Sequence, residues 1–319
     1  MRIVFAGTPD FARTALEGIC EAGHDVALVL SQPDRPVGRG LRMEASPVKR
    51  YALEKAIPVM TPQGLSPSRF PDDYRAVLAA MLEAAPELFV VAAFGMIVPQ
   101  ELLDVASGIG RGRDIHSVNI HASLLPRWRG AAPAARAIEA GDEEFGVTLM
   151  RMEAGLDTGG IIRTVRFPIG SEDTAETLTQ KAAQAGTRLL VEALQRPGEL
   201  EAVAQPQEGA TYAAKLLKGE SQADFALSAP EVERKIRAFT PFPGLKCSYG
   251  QTQIRLHHAR VASGSGRPGE ILDAGDAGLE IACGTGSIVA DVLQRAGKPK
   301  MAAADFLRGF PMRKGEVLT

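Results

Sequence analysis

A chain of 319 residues with 45% hydrophobic and 23% charged residues has room for two compact domains and the balance of an ordinary globular protein, which excludes a fibrous or disordered one. No apolar run approaches the ~20 residues of a membrane helix, and the opening MRIVFAGTPDF stops at Gly7 without the long apolar stretch and cleavage site of a leader, so a cytoplasmic protein with no membrane partner is expected. The net charge of −2 argues against a uniformly basic nucleic-acid binder, yet residues 211–319 hold 15 Lys and Arg against 11 Asp and Glu (+4), while residues 1–210 hold 21 against 27 (−6).

Residues 2–6 form a short apolar run that ends in the turn Gly7-Thr8-Pro9-Asp10. Phe11, Leu16, Ile19 and Cys20 follow at roughly helical spacing up to Gly23, and Val26–Leu30 is a second apolar run. This spacing predicts a strand–helix–strand unit with a parallel sheet. Residues 32–42 contain two prolines, two glycines and three arginines and read as a loop, and Ser46-Pro47 then opens a helix. The stretch 88–93 is apolar at every position, as a strand covered on both faces should be. Further strands are expected at 117–121, 147–150 and 161–165, with helices at 131–140 and 174–196.

After Pro197-Gly198 the pattern weakens, and 198–220 reads as a linker. A helix at 229–239 is followed by short strands at 245–249, 253–261, 270–272, 279–282 and 287–293, the spacing of a small β-barrel. The fold class expected is α/β: a Rossmann-like, mostly parallel sheet over 1–197 and an OB-like barrel over 221–319. Cys20, Cys247 and Cys283 are odd in number and widely spaced, which fits free buried thiols and neither a disulfide framework nor structural zinc.

Three places carry candidate chemistry. The Gly7 turn lacks the G-x-G-x-x-G of a dinucleotide site and reads as a tight turn into a helix. Asn119 and His121, two apart on a strand, share one face near its C-terminal end, where open α/β sheets place ligands; a satisfied core histidine beside a turn asparagine is the plainer reading. The loop that follows, Ser123 to Gly130, holds the one tryptophan. Asp157 sits between glycines in Gly155–Gly160, which suits either a backbone that approaches a ligand or a plain hairpin turn.

These pieces occur in a recognisable order. GTPDF at 7–11, QPDRPVGRG at 32–40, NIHASLLPRWRGAAP at 119–133, GLDTG at 155–159, TYAAKL at 211–216 and RAFTPFPG at 237–244 together resemble the methionyl-tRNA formyltransferase family over essentially the whole chain. SLLP and N-x-H are shared by folate-dependent formyltransferases of this type, whereas GTPDF, QPDRPVGRG and LLPRWRGAAP are closer to the tRNA enzymes. The resemblance implies that Asn119, His121 and Asp157 are catalytic and that Ser123, Leu124, Leu125 and Pro126 lie in the folate site. It implies 10-formyltetrahydrofolate as co-substrate, tetrahydrofolate as product, initiator methionyl-tRNA as acceptor, no metal, and a monomer. Phe94 and Ile97 are expected to wall the slot for the pterin ring, or else to be plain core.

Loop 32–50 carries five basic residues against Asp34 and Glu44. Arg39, Arg35 and Arg42 are expected to contact the tRNA, Arg39 above all; the alternative is a solvated surface. The glycine-rich segment 105–116 is longer than the resemblance predicts and reads as a surface extension. Three rivals stay open. A formyltransferase for a purine precursor or an amino sugar is one, although a purine enzyme would need only the first domain. A formyl-folate hydrolase would not need the arginine loop, and a non-catalytic RNA binder would not need the three polar residues.

Overall fold

The first strand, β1 (Arg2–Gly7), buries Ile3, Val4, Phe5 and Ala6 completely, so both of its faces are covered. This computed structural model describes residues 1–37 and 42–319. By their internal contacts these form two units: Met1–Gly130 with Phe145–Phe167 and Thr179–Tyr212, and Ala131–Glu144 with Pro168–Leu178 and Ala213–Thr319.

In the first unit β1 pairs in parallel with β2 (Asp25–Leu30) on one edge and with β6 (Leu88–Ala92) on the other. β5 (Val59–Met60) adds to β2, and β7 (Ser117–His121) adds to β6, both parallel. β9 (Glu144–Arg151) joins β7 antiparallel, and β10 (Ile161–Pro168) completes the order β10-β9-β7-β6-β1-β2-β5. The mostly parallel sheet expected from the apolar runs is present. Its order reverses between β1 and β6, the switch point where open sheets bind ligands beyond their C-terminal ends. Gly7 closes the turn there, because a Cβ would lie 2.5 Å from Ala12 Cβ and 2.9 Å from the Ala92 carbonyl.

Helices α1 (Asp10–Glu21) and α2 (Pro47–Glu54) follow their expected signals, and α3 (Pro71–Ala84) is a further helix with Pro71 in its first turn; Ser46 Oγ caps α2 by accepting from Lys49 N at 3.0 Å. Val4, Leu28, Leu30, Phe89 and Val91 of the strands pack with Tyr74, Val77 and Met81 of α3 as one core layer. On β7 and β9, Ile120 and Val147 lie against Gly186 of α6 (Ala175–Leu194).

Two segments are more ordered than their composition suggested. Part of the 32–42 loop is a ribbon, β3 (Arg35–Val37) with β4 (Arg42–Glu44), antiparallel. The 105–116 segment buries Ala106, Ile109 and Ile115 after the short α4 (Gln100–Leu103), and Gly110 and Arg111 donate to the carbonyls of Pro197 and Leu200 at 3.0 Å each. It is a turn pinned by backbone hydrogen bonds, and its Ala106 joins the main core layer. The two-residue strands β8 (Arg129–Gly130) and β11 (Tyr212–Ala213) meet where Arg129 N donates to the Thr211 carbonyl at 2.9 Å.

The second unit is an antiparallel sheet with three helices. β12 (Leu245–Tyr249), β13 (Thr252–Ala262), β14 (Ile271–Gly275), β15 (Gly278–Ala282) and β16 (Ser287–Arg295) run in the order β12-β13-β16-β15-β14, with β17 (Met301–Ala302) beside β16. Its two edges share one partner, the last residues of the chain. Glu316 accepts from Ile271 N and Leu318 donates to the Gly269 carbonyl, each at 2.8 Å, while Thr319 N donates to Ser248 O at 3.1 Å. The edge groups that would otherwise be open are thereby paired, the barrel's solution to a sheet edge.

α8 (Ala303–Gly309) packs on the sheet. α7 (Ala229–Ala238) starts in a capping box between Ser228 and Glu231 and packs on α5 (Pro133–Ala140), where Arg136 pairs with Glu220 and Glu139. Cys247 and Cys283 are free and buried, and burial pushes their thiols up to about 12 and about 11. Among the described residues no helix is long and apolar enough to cross a membrane.

Candidate active site

The pleat of β7 sends Asn119 and His121 to one face, and the antiparallel register sets them opposite Met150 and Thr148 of β9. After β9 the chain turns through Gly155–Gly160, with Asp157 at φ 52°, a left-handed conformation uncommon outside glycine. Gly159 permits this fold-back, since a Cβ there would lie 1.8 Å from the Arg151 carbonyl. The turn carries the Asp157 carboxylate over β7. Oδ1 stands 3.5 Å from Asn119 Nδ2 and 3.6 Å from His121 Nδ1, and Oδ2 accepts from Gly130 N at 2.8 Å.

His121 is buried and Asp157 nearly so, with 7% and 11% of their side chains exposed. The Nε2–H of His121 donates to the Trp128 carbonyl at 2.9 Å, a bond only a protonated Nε2 can make. That leaves Nδ1 turned toward Asp157. The arrangement is a donor amide, a ring nitrogen and a carboxylate within one small polar cluster of an apolar strand.

The loop 123–130 is held by the same sheet. Thr148, fully buried, donates to the Ser123 carbonyl at 2.7 Å and accepts from Leu125 N at 3.2 Å. Ser123 Oγ donates to Arg127 O at 2.7 Å, and the Arg127 guanidinium lies 4.3 Å from the Trp128 ring centre. Beyond β6, the carbonyl of Phe94 accepts from Thr8 Oγ1 at 3.0 Å and Gln32 Nε2 at 2.9 Å. Three crossover loops are thus tied together at the switch point. Phe94 is buried in the core layer, whereas Ile97 is 89% exposed.

Residues 1–194 match the family model described as formyl transferase, and residues 215–311 match the formyl transferase C-terminal domain. The chain is 49% identical over 325 residues to a methionyl-tRNA formyltransferase of Delftia acidovorans, covering 100% of this chain and 97% of that protein. The chain belongs to the methionyl-tRNA formyltransferase family. A second relative of that name, from Variovorax paradoxus, is 48% identical and covers 99% of this chain and 98% of its own. The methionyl-tRNA formyltransferase from Clostridium thermocellum shares the fold, with a TM-score of 0.58 at 16% identity over 92% of this chain and 98% of its own.

Of the residues singled out from sequence, Asn119, His121 and Asp157 meet in one cluster. Ser123, Leu124, Leu125 and Pro126 form the adjoining loop, with Leu125 buried. Arg35 and Arg42 are exposed on the β3–β4 ribbon, and Arg35 donates to Gln32 Oε1. Arg39 lies outside the described residues. Sequence reading missed Thr148, Gln32 and Gln205. Gln205 Nε2 donates to the Asp157 and Gly159 carbonyls at 2.9 and 2.8 Å, and its Oε1 accepts from Arg129 Nη2 at 2.8 Å and Nε at 3.2 Å. Its only local signal is a polar residue before the TYAAKL stretch.

Proposed function

We propose that this protein transfers the formyl group of 10-formyltetrahydrofolate to the free amino group of methionyl initiator tRNA, giving N-formylmethionyl-tRNA for translation initiation. The observation that carries the reading is the meeting of Asn119, His121 and Asp157 around one carboxylate oxygen, from two elements 38 residues apart. Family membership supplies the acceptor and the formyl donor.

The formyl donor presents a carbonyl carbon on a nitrogen that can leave. Amine attack on it develops negative charge on the carbonyl oxygen. The Asn119 amide is a donor for that oxygen, and such preorganised donors contribute roughly 3–4 kcal/mol each. His121 keeps Nε2–H on Trp128 O, so its contribution is made at Nδ1. In the imidazolium form both ring nitrogens donate, and Asp157 at 3.6 Å offsets the charge. Asp157 also accepts the proton that the attacking nitrogen must lose, directly or through a water, and that proton passes to the folate nitrogen as it leaves. The chain's own groups therefore cover oxyanion stabilisation and proton movement.

For the folate, the loop Ser123, Leu124, Leu125 and Pro126 and the turn at Phe94 and Ile97 supply the walls. Ile97 is a large aliphatic group left open on a turn pinned by Thr8 and Gln32, apolar surface that a flat heteroaromatic ring covers. For the tRNA, Arg35, Arg39 and Arg42 supply forked donors for phosphate. We assign the formyl-transfer chemistry to residues 1–197, a connector to 198–220 and tRNA binding to the basic β-barrel of 221–319, in a cytoplasmic monomer. Incubation with formyl-labelled 10-formyltetrahydrofolate tests the reading. Label is expected on charged initiator tRNA; label on a sugar nucleotide, or release as formate without tRNA, would contradict it.

A further inference from the structure

We infer that Gln205 is a positioning residue that sets the place of the Asp157 carboxylate, so that part of the stretch read as a linker belongs to the working site. The inference rests on the catalytic role proposed for Asp157.

Gln205 uses its whole hydrogen-bonding capacity on this one task. Arg129, 5% exposed, can only donate, so the oxygen of the Gln205 amide must face its guanidinium, and the nitrogen must face the two carbonyls. Both Nε2 protons are then spent on Asp157 O and Gly159 O, which flank the left-handed turn. An amide bonded on every side has one orientation, and the backbone it grips has little freedom left.

The grip matters because Asp157 has no helix or strand of its own. Its side chain is aimed by the Gly130 N–H at one oxygen, and its backbone by Gln205. The same segment acts on the histidine side. Thr211 Oγ1 accepts from Trp128 N at 2.9 Å, and the Trp128 carbonyl is the acceptor for His121. Residues 205–211 thus brace both members of the pair, and a displacement of 1 Å at a reacting group is enough for about a hundredfold loss of rate.

The test uses the full chain and three variants: Gln205→Ala, Asp157→Asn and the double variant, with Gln205→Glu as an isosteric control that puts an acceptor where the two carbonyls need a donor. Gln205→Ala and Gln205→Glu should each lower kcat for formyl transfer by about ten- to a hundredfold, with KM for both substrates within about threefold. In the Asp157→Asn background, Gln205→Ala should add less than about twofold, because residues that act through one another are not additive. A full multiplicative loss in the double variant would show a general structural role and overturn the inference, as would a near wild-type kcat for either Gln205 variant. Near wild-type activity of Asp157→Asn would instead overturn the proposed catalytic set itself, so the two failures are distinct.

Discussion

His121 donates its Nε2 proton to the Trp128 carbonyl at 2.9 Å, and this bond decides that Nδ1 is the ring atom turned to Asp157. A glutamine can imitate the bond but offers no ring nitrogen toward Asp157. His121→Gln is therefore expected to lose about a hundredfold or more in kcat while keeping KM for the folate within about threefold. His121→Ala should lose as much kcat and also melt below His121→Gln, because it removes the Nε2–H bond to the Trp128 carbonyl. Equal kcat for His121→Gln and the unmodified chain would remove the histidine from the chemistry.

A second histidine gives a pH test away from the site. His258 on β13 donates to Asp291 Oδ1 at 2.6 Å and Glu172 Oε2 at 2.8 Å. Burial pulls this imidazole down, but the two carboxylates outweigh burial and leave it raised above its usual 6.5. A raised folded value means stability that is whole below pH ~6.5 and is lost as pH rises through the folded value. The groups are 37–77% exposed, so screening keeps the gain to about 1 kcal/mol or less. His258→Gln should lower Tm at pH 6 by a few degrees and by clearly less at pH 9. The same drop at both would show that the charge is not involved.

Arg39 is the second arginine of the sequence motif QPDRPVGRG, proposed above to hold the tRNA. Arg39→Ala should raise KM for charged tRNA about tenfold with folate binding unchanged, and Arg39→Lys should recover only part, since it keeps the charge and loses the fork. tRNA should also protect residues 33–44 from limited proteolysis. Normal tRNA kinetics for Arg39→Ala at moderate salt would return the segment to a solvated surface.

What could be read from sequence followed local periods. The unbroken apolar run at 88–93 predicted a doubly covered strand, and β6 is buried at every position. The i, i+2 spacing put Asn119 and His121 on one face, as β7 does. The approach of Asp157 depends on a left-handed turn and on Gly159, which the glycine-rich pattern hinted at without saying where the carboxylate would point. Gln205 and Thr148 were silent, because a side chain that bonds to a backbone 25 or 48 residues away leaves no period in its own neighbourhood. The 105–116 segment has the exposed tip expected of a surface extension at residues 111–114, while Ile109 and Ile115, few and widely set among glycines and charges, left no period to announce their burial.

The most direct measurement is a single-turnover assay of formyl transfer from 10-formyltetrahydrofolate to methionyl initiator tRNA, run on the unmodified chain and on Asp157→Asn. N-formylmethionyl-tRNA is expected as the product of the unmodified chain, with a rate at least about a hundredfold lower for Asp157→Asn and folate Kd within about threefold. Formate in place of formylated tRNA, or an Asp157→Asn rate near that of the unmodified chain, would contradict the proposed function.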